Sequence, residues 1–172
     1  MYPQFFELPQ ELISRLRGIK LLITDCDGVL TDNGVYYSAE GEVMKRFSIR
    51  DGMGVERLRT LVQVETAIMT GETSGSVVKR AEKLKLNYVY LGIKDKKQKL
   101  EEVLLQTRLK PQEIAYIGDD TNDLEIMQMV GVSATPGDAT PFTKEAADYI
   151  CRELGGYGAF REFAELIIFA KK

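Results

Sequence analysis

Short apolar runs alternate with longer amphipathic stretches along most of the chain. The runs "IKLLITD", "VETAIMTG", "NYVYLG", "IAYIGDD", "GVSATP" and "ADYIC" are continuously apolar. Continuity over so few residues predicts strands covered on both faces. Between them, "DGMGVERLRTLV", "SGSVVKRAEKLK", "DKKQKLEEVLLQT", "TNDLEIMQMV" and "TPFTKEAA" carry helical spacing, and "GAFREFAELIIFAKK" closes the chain. This alternation predicts an α/β layered domain built on a mainly parallel sheet. One segment departs from it. In "GVYYSAEGEVMKRFS" two β-rich runs flank "AEG", which predicts a hairpin inserted after the first strand. No repeat, low-complexity tract or linker divides the 172 residues, so residues 1–172 are expected to form a single domain.

Composition narrows the chemistry. The chain is 44% hydrophobic and 28% charged, as globular domains are, and its net charge of −3 argues against a nucleic-acid binder relying on bulk charge. It contains no histidine, which removes histidine triads, histidine general bases and the commonest zinc sites. Cys26 and Cys151 form neither a metal-type spacing nor a disulfide framework, and a reduced, cytoplasmic setting is expected. Acids and a proline interrupt the apolar residues of "MYPQFFELPQELISRL", so it does not read as a signal peptide. No apolar run approaches the ~20 residues that span a bilayer, and no membrane partner is expected.

The polar residues gather where a parallel sheet binds its ligands, at the carboxyl ends of strands. Asp25 and Asp27 end the first run, with Asp32 in the following loop; Thr70 and Gly71 end the second; Lys96 opens the helix after "NYVYLG"; Asp119, Asp120 and Asp123 follow "IAYIG". Each residue alone has an ordinary explanation. An aspartate there is usually a helix cap, Thr70-Gly71 a turn, Lys96 a surface charge, and Cys26 a small core side chain. Together they place carboxylates, a hydroxyl and a lysine on one rim. Carboxylates so crowded call for a hard divalent cation with oxygen ligands, Mg²⁺ above all.

In order, "DCDGVLTD", "MTGE", Lys96 and "GDDTND" resemble the four motifs of the haloacid dehalogenase superfamily, over residues 19 to about 165. The resemblance implies a Rossmann-like core and Mg²⁺-dependent phosphoryl transfer by a phosphoric monoester hydrolase. It implies Asp25 as nucleophile, forming an aspartyl-phosphate, and Asp27 as general acid/base whose backbone carbonyl also binds the metal. Asp119 is implied as the third protein ligand, Asp120 and Asp123 as its supports, and Thr70 and Lys96 as binders of the phosphoryl oxygens. A carboxylate is a weak nucleophile, so it needs a metal and a lysine to neutralise the incoming phosphate. A second aspartate two residues on can protonate the leaving alkoxide and then activate water.

About forty residues separate Asp27 from Thr70, enough for one hairpin and one helix but not for a cap domain. "DGVLTDNGVYYSAEGEVMKRFSIRDGMG" and "GGYGAFREFAE" are similar to the small capless phosphatases of 3-deoxy-2-ulosonic acid phosphates. That family implies a homotetramer whose hairpins meet and whose neighbouring subunits close each other's sites. Arg50 and Asp51 in "SIRDGMG" resemble the 3-deoxy-D-manno-octulosonate (KDO) 8-phosphate enzymes. Glu72, Arg80 and Lys83 resemble instead those for 2-keto-3-deoxynononate (KDN) and N-acetylneuraminate 9-phosphates, and tilt the expectation to the nine-carbon substrate. Arg80 and Lys83 share a helix face at i,i+3 spacing, although a solvated basic face explains them equally. Gly155, Gly156 and Gly158 would shape the C-terminal segment, bringing Arg161 to a substrate carboxylate or phosphate; an ordinary helix-surface ion pair is the alternative. Rival classes fit less well. A receiver domain lacks an Asp-x-Asp after its first strand, a non-catalytic assembly module would have lost Asp25 or Asp27, and the acidic balance discourages protein or nucleic-acid substrates.

Overall fold

The computed structural model describes residues 2–172. Its main sheet has six parallel strands in the order β5-β4-β1-β6-β7-β8. These are β1 (Leu21–Thr24), β4 (Glu65–Met69), β5 (Tyr88–Tyr90), β6 (Ile114–Ile117), β7 (Val132–Thr135) and β8 (Tyr149–Ile150). The expected α/β class and every expected strand are present, though "ADYIC" contributes only two residues. β1 pairs with β4 on one side and β6 on the other, with Thr24 level with Ile68 and Ile117. The chain therefore reverses its direction of sheet growth at β1, and such a switch point opens a crevice at the carboxyl ends of the strands.

Side chains leave a strand alternately up and down, so β1 feeds two cores. Leu22 joins the cluster with Ile68, Val55, Phe160 and Phe163. Leu21 and Ile23 join Met69, Leu100, Val103, Tyr116 and Ile126 on the other face. The first face is covered by α1 (Gln10–Arg17), α2 (Ile49–Val62), α3 (Gly75–Leu84) and α7 (Ala159–Lys171); the second by α4 (Lys96–Thr107) and α5 (Leu124–Met129). Cover on both faces explains why the strands read as continuous apolar runs. α6 (Pro141–Ala146) starts with proline, whose missing N–H costs nothing in a first turn.

Helix α1 was not among the expected elements. Its Leu12, Ile13 and Leu16 are buried, with polar Glu11, Ser14, Arg15 and Arg17 around them, a stripe that covers part of the first face. The insertion after β1 is the expected hairpin, β2 (Val35–Ser38) and β3 (Gly41–Lys45), a separate antiparallel sheet. Tyr36, Tyr37, Val43 and Met44 stand more than half exposed on it. Among the described residues nothing larger is inserted over the strand ends.

Candidate active site

The rim is assembled from the ends of three adjacent strands and the helix after β5. Asp25 follows β1, and its N–H donates to the Ile117 carbonyl at 2.9 Å, so the ladder to β6 continues into the site. Its Oδ1 accepts from the Cys26 N–H at 2.7 Å, and its Oδ2 lies 2.9 Å from Lys96 Nζ. Lys96, the first residue of α4, is buried and also donates to Asp123 Oδ1 at 2.5 Å and Tyr116 Oη at 3.1 Å. Asp123 is fully enclosed. Its Oδ2 accepts from the N–H groups of Asp119 and Asp120 at 2.9 and 3.2 Å, so it fixes the loop that carries Asp119. Asp120 is exposed and binds the Thr121 N–H, a capping role. Thr70 follows β4 and accepts from the Glu72 N–H at 3.3 Å.

Charge on this rim is unbalanced. Burial and the Asp123 charge push Asp25 up to about 6, against the pull of Lys96. Burial, then Asp25 and Asp123, push Asp119 up to about 7. Burial opposes the charge on Lys96, but the two adjacent carboxylates outweigh it and leave its pKa raised. Carboxylate oxygens of Asp25, Asp119 and Asp123 lie within 4.8 Å of one another, with one lysine among them. Both carboxylate oxygens of Asp123 are already hydrogen-bonded, while the Asp119 carboxylate receives only a long 3.3 Å bond from Asn33 Nδ2. A donor set of hard oxygens carrying a charge excess suits Mg²⁺. The loop is shaped to admit it. Gly28 has φ +78°, and a Cβ there would lie 2.0 Å from Asp119 Oδ2.

Asp27 is less buried than Asp25. Its Oδ1 accepts from Thr31 Oγ1 at 3.3 Å, and its Oδ2 is 2.6 Å from Lys45 Nζ at the end of β3. Burial opposes the charge on Lys45, and Asp27 outweighs it, so the lysine's pKa is raised. Asp25, Asp27, Asn33, Thr70, Gly71, Glu72, Asp119, Asp120 and Asn122 line a cavity of ≈ 190 Å³ over this rim. Asp32, one loop away, pairs with Arg46 at 3.2 Å instead.

Four other residues named from sequence lie off this cavity in the single chain. The Arg80 guanidinium turns under α2, where Nη2 donates to the Ser48 carbonyl at 2.7 Å and the group sits 5.6 Å over the Phe47 ring. Lys83, one turn on, and Arg50 are exposed. Arg161 donates to Glu165 at 2.8 Å, the helix-surface pair, while its backbone N–H caps onto Asp51 at 2.9 Å. Gly156, at φ +66°, docks its N–H on the Val29 carbonyl, which places the C-terminal glycines beside the chain's own site loop. Cys26 and Cys151 are buried, and burial pushes both thiols well up, so neither is a nucleophile. Sequence reasoning missed Asn33, Lys45, Tyr116 and Asn122. All four stood inside quoted segments without being singled out, and only folding brings Lys45 and Tyr116 to the rim.

The chain matches the family of haloacid dehalogenase-like hydrolases over residues 63–154. It is 38% identical to the 3-deoxy-D-manno-octulosonate 8-phosphate phosphatase KdsC of Yersinia pestis, over 94% of this chain and 86% of that protein. Among solved structures it is similar to the Moraxella catarrhalis 3-deoxy-D-manno-octulosonate 8-phosphate phosphatase in complex with magnesium, phosphate and KDO. The TM-score is 0.90 and the identity 33%, with 95% and 94% of the two chains covered. The cobalt-bound enzyme of Haemophilus influenzae superposes with a TM-score of 0.88 at 36% identity, covering 91% of each chain.

Proposed function

This chain belongs to the haloacid dehalogenase-like hydrolases, within the capless branch of ulosonate-phosphate phosphatases, and from that membership we propose that it hydrolyses the phosphomonoester of a 3-deoxy-2-ulosonic acid. The observation that carries the reading is the pairing of Asp25 with Lys96 beside Asp119, at the mouth of a switch-point crevice.

In this reading Asp25 attacks phosphorus, and the sugar oxygen leaves with a proton from Asp27. Asp27 then takes a proton from the water that attacks the aspartyl-phosphate, which frees inorganic phosphate and restores Asp25. Lys96 and the Thr70 hydroxyl bind phosphoryl oxygens, and Lys96 counters the charge that brings two anions together. Asp25, Asp119 and the Asp27 backbone carbonyl would hold Mg²⁺, with Asp120 and Asp123 supporting the loop. The bound ion supplies the positive charge that the crowded rim lacks. Asp25→Asn keeps the shape but is a poor nucleophile. It is expected to abolish phosphate release while the circular dichroism spectrum and melting temperature stay close to wild type, and near-normal turnover would refute the covalent route. Chelation is expected to stop turnover reversibly.

Two substrates remain distinct. The relatives act on KDO 8-phosphate, which supports the eight-carbon sugar. Glu72 supports KDN or N-acetylneuraminate 9-phosphate, because it is an exposed carboxylate on the cavity wall, where a longer polyol chain would pass. We hold to the nine-carbon reading. The ranking of specificity constants decides it, and a tenfold or greater preference for KDO 8-phosphate moves the enzyme to the eight-carbon branch.

A cavity of ≈ 190 Å³ is smaller than the ~300–1,000 Å³ typical of sites that enclose a small molecule. It has room for the phosphoryl group, and the sugar must project beyond it. The proposed homotetramer, joined through the apolar hairpins, would supply the missing wall, and Arg50, Lys83 and Arg161 would meet substrate only there. A cytoplasmic setting suits the two free thiols.

A further inference from the structure

Lys45 is the most enclosed charged side chain of the hairpin. Its side chain is 1% exposed, while Tyr36, Tyr37, Val43 and Met44 around it face outward. Burying an ammonium is costly, and a buried ion pair is no better for stability than well-packed apolar residues of similar size. A lysine here therefore calls for a reason beyond holding the hairpin. Its Nζ lies 2.6 Å from Asp27 Oδ2 and 3.7 Å from Glu42 Oε2. Glu42 in turn accepts from Ser74, the N-cap of α3, so β3 bridges the loop after β1 and the helix that follows Thr70-Gly71.

We propose that Lys45 is a positioning residue for the acid/base carboxylate Asp27, holding its Oδ2 so that Oδ1 faces the leaving oxygen. The proposal rests on the phosphatase reading above and deepens it. The two oxygens of Asp27 are unequally held. Oδ2 has a short charge-assisted bond, whereas Oδ1 has only the long 3.3 Å contact with Thr31. The weakly held oxygen is free to carry the proton. When Oδ1–H gives its proton to the leaving alkoxide, the C–O bond of the carboxyl group becomes part of a full carboxylate, and the ammonium on Oδ2 is already in place to stabilise that anion. Lys45 keeps its own protons throughout. The hairpin thus belongs to the catalytic apparatus of its own chain, through a residue that never touches substrate.

The test compares leaving groups. The specificity constant covers steps up to phosphoryl transfer onto Asp25, where Asp27 acts as acid. An alkyl phosphate such as KDN 9-phosphate or KDO 8-phosphate needs that proton, while p-nitrophenyl phosphate, with an acidic phenol, does not. Lys45→Met is expected to lower kcat/KM for the sugar phosphate at least tenfold and for p-nitrophenyl phosphate less than threefold, given the ~10²–10⁴-fold worth of acid–base catalysis. Lys45→Arg should recover most of the loss. Glu42→Ala, which removes the hairpin's other tie to Ser74, should leave the ratio of the two substrates unchanged. Equal losses on both substrates, or the same ratio change in Glu42→Ala, would show that Lys45 only anchors the hairpin. In an Asp27→Asn background, which removes the carboxylate that Lys45 holds, Lys45→Met should change neither constant further; additive losses would overturn the proposal. Asp25→Asn measured alongside reports separately on the covalent route, since it should silence both substrates whatever Lys45 does.

Discussion

Asp51 is a carboxylate enclosed near the start of α2. It is 1% exposed; Oδ1 accepts the Arg161 N–H and Oδ2 has no partner. Burial pushes it up to about 6, against the hydrogen bond from the Arg161 N–H. With the folded pKa above the unfolded value of 3.8, the folded state binds the extra proton between those limits. Stability from this group is therefore full below about pH 4 and falls as pH rises to about 6, by roughly 3 kcal/mol at ~1.4 kcal/mol per pKa unit. Asp51→Asn lacks this slope. Its stability relative to wild type, from urea unfolding, should improve by about that amount between pH 4 and pH 7, and a constant difference would refute the assignment. Glu72 acts at the same scale but on specificity. An arginine in its place would leave a sugar hydroxyl facing a cation instead of an acceptor, a mismatch of about 1–3 kcal/mol. Glu72→Arg is expected to shift the ratio of specificity constants from nine-carbon toward eight-carbon substrate by roughly five- to 150-fold. Hydrolysis of a small generic phosphate ester should barely change.

Among the elements, α7 ties the molecule together. Its Phe160, Phe163, Leu166 and Ile167 are completely buried, and Phe163 stacks on Tyr149 with centroids 6.4 Å apart. Even its Glu162 is enclosed, accepting from Tyr149 Oη at 2.6 Å and from the N–H groups of Arg152 and Glu153. α2 lies against it, with Gly54 at the Phe160 ring and Arg57 paired to Glu165 at 2.5 Å. Phe163→Ala should cost about 3–5 kcal/mol in denaturant unfolding. Turnover per folded molecule should hold, because the cavity is lined from other elements. A loss confined to activity would mean that α7 shapes the site directly.

At the scale of the whole molecule, an isolated two-stranded hairpin is marginal in water, and this one exposes Tyr37 at 72% and Val43 at 58%. In the proposed tetramer those side chains meet their copies. Sedimentation should find four chains, and Tyr37→Glu with Val43→Glu should give smaller species with a raised KM for the sugar phosphate. A stable monomer with full activity would end the shared-site idea.

The sequence by itself determined the layers and the rim. Apolar runs too short for helices and too continuous for one-sided strands require a sheet covered on both faces, and polar residues at their ends must then share one edge. Asp25, Thr70 and Asp119 were legible because each follows a strand within two residues, and Lys96 because it opens the next helix, so local pattern places them. α1 was not predicted, because its apolar Leu12, Ile13 and Leu16 make too short a pattern behind a proline. What only the tertiary structure decided is which charges meet across the chain. Arg80 carried the same sequence signal as a ligand, yet it turns beneath α2 to Ser48, because a side chain's direction depends on what packs against its helix. Lys45 carried no signal beyond an ordinary strand lysine. Its approach to Asp27 comes from the fold of the hairpin over β1, a contact between residues eighteen apart that no local periodicity encodes.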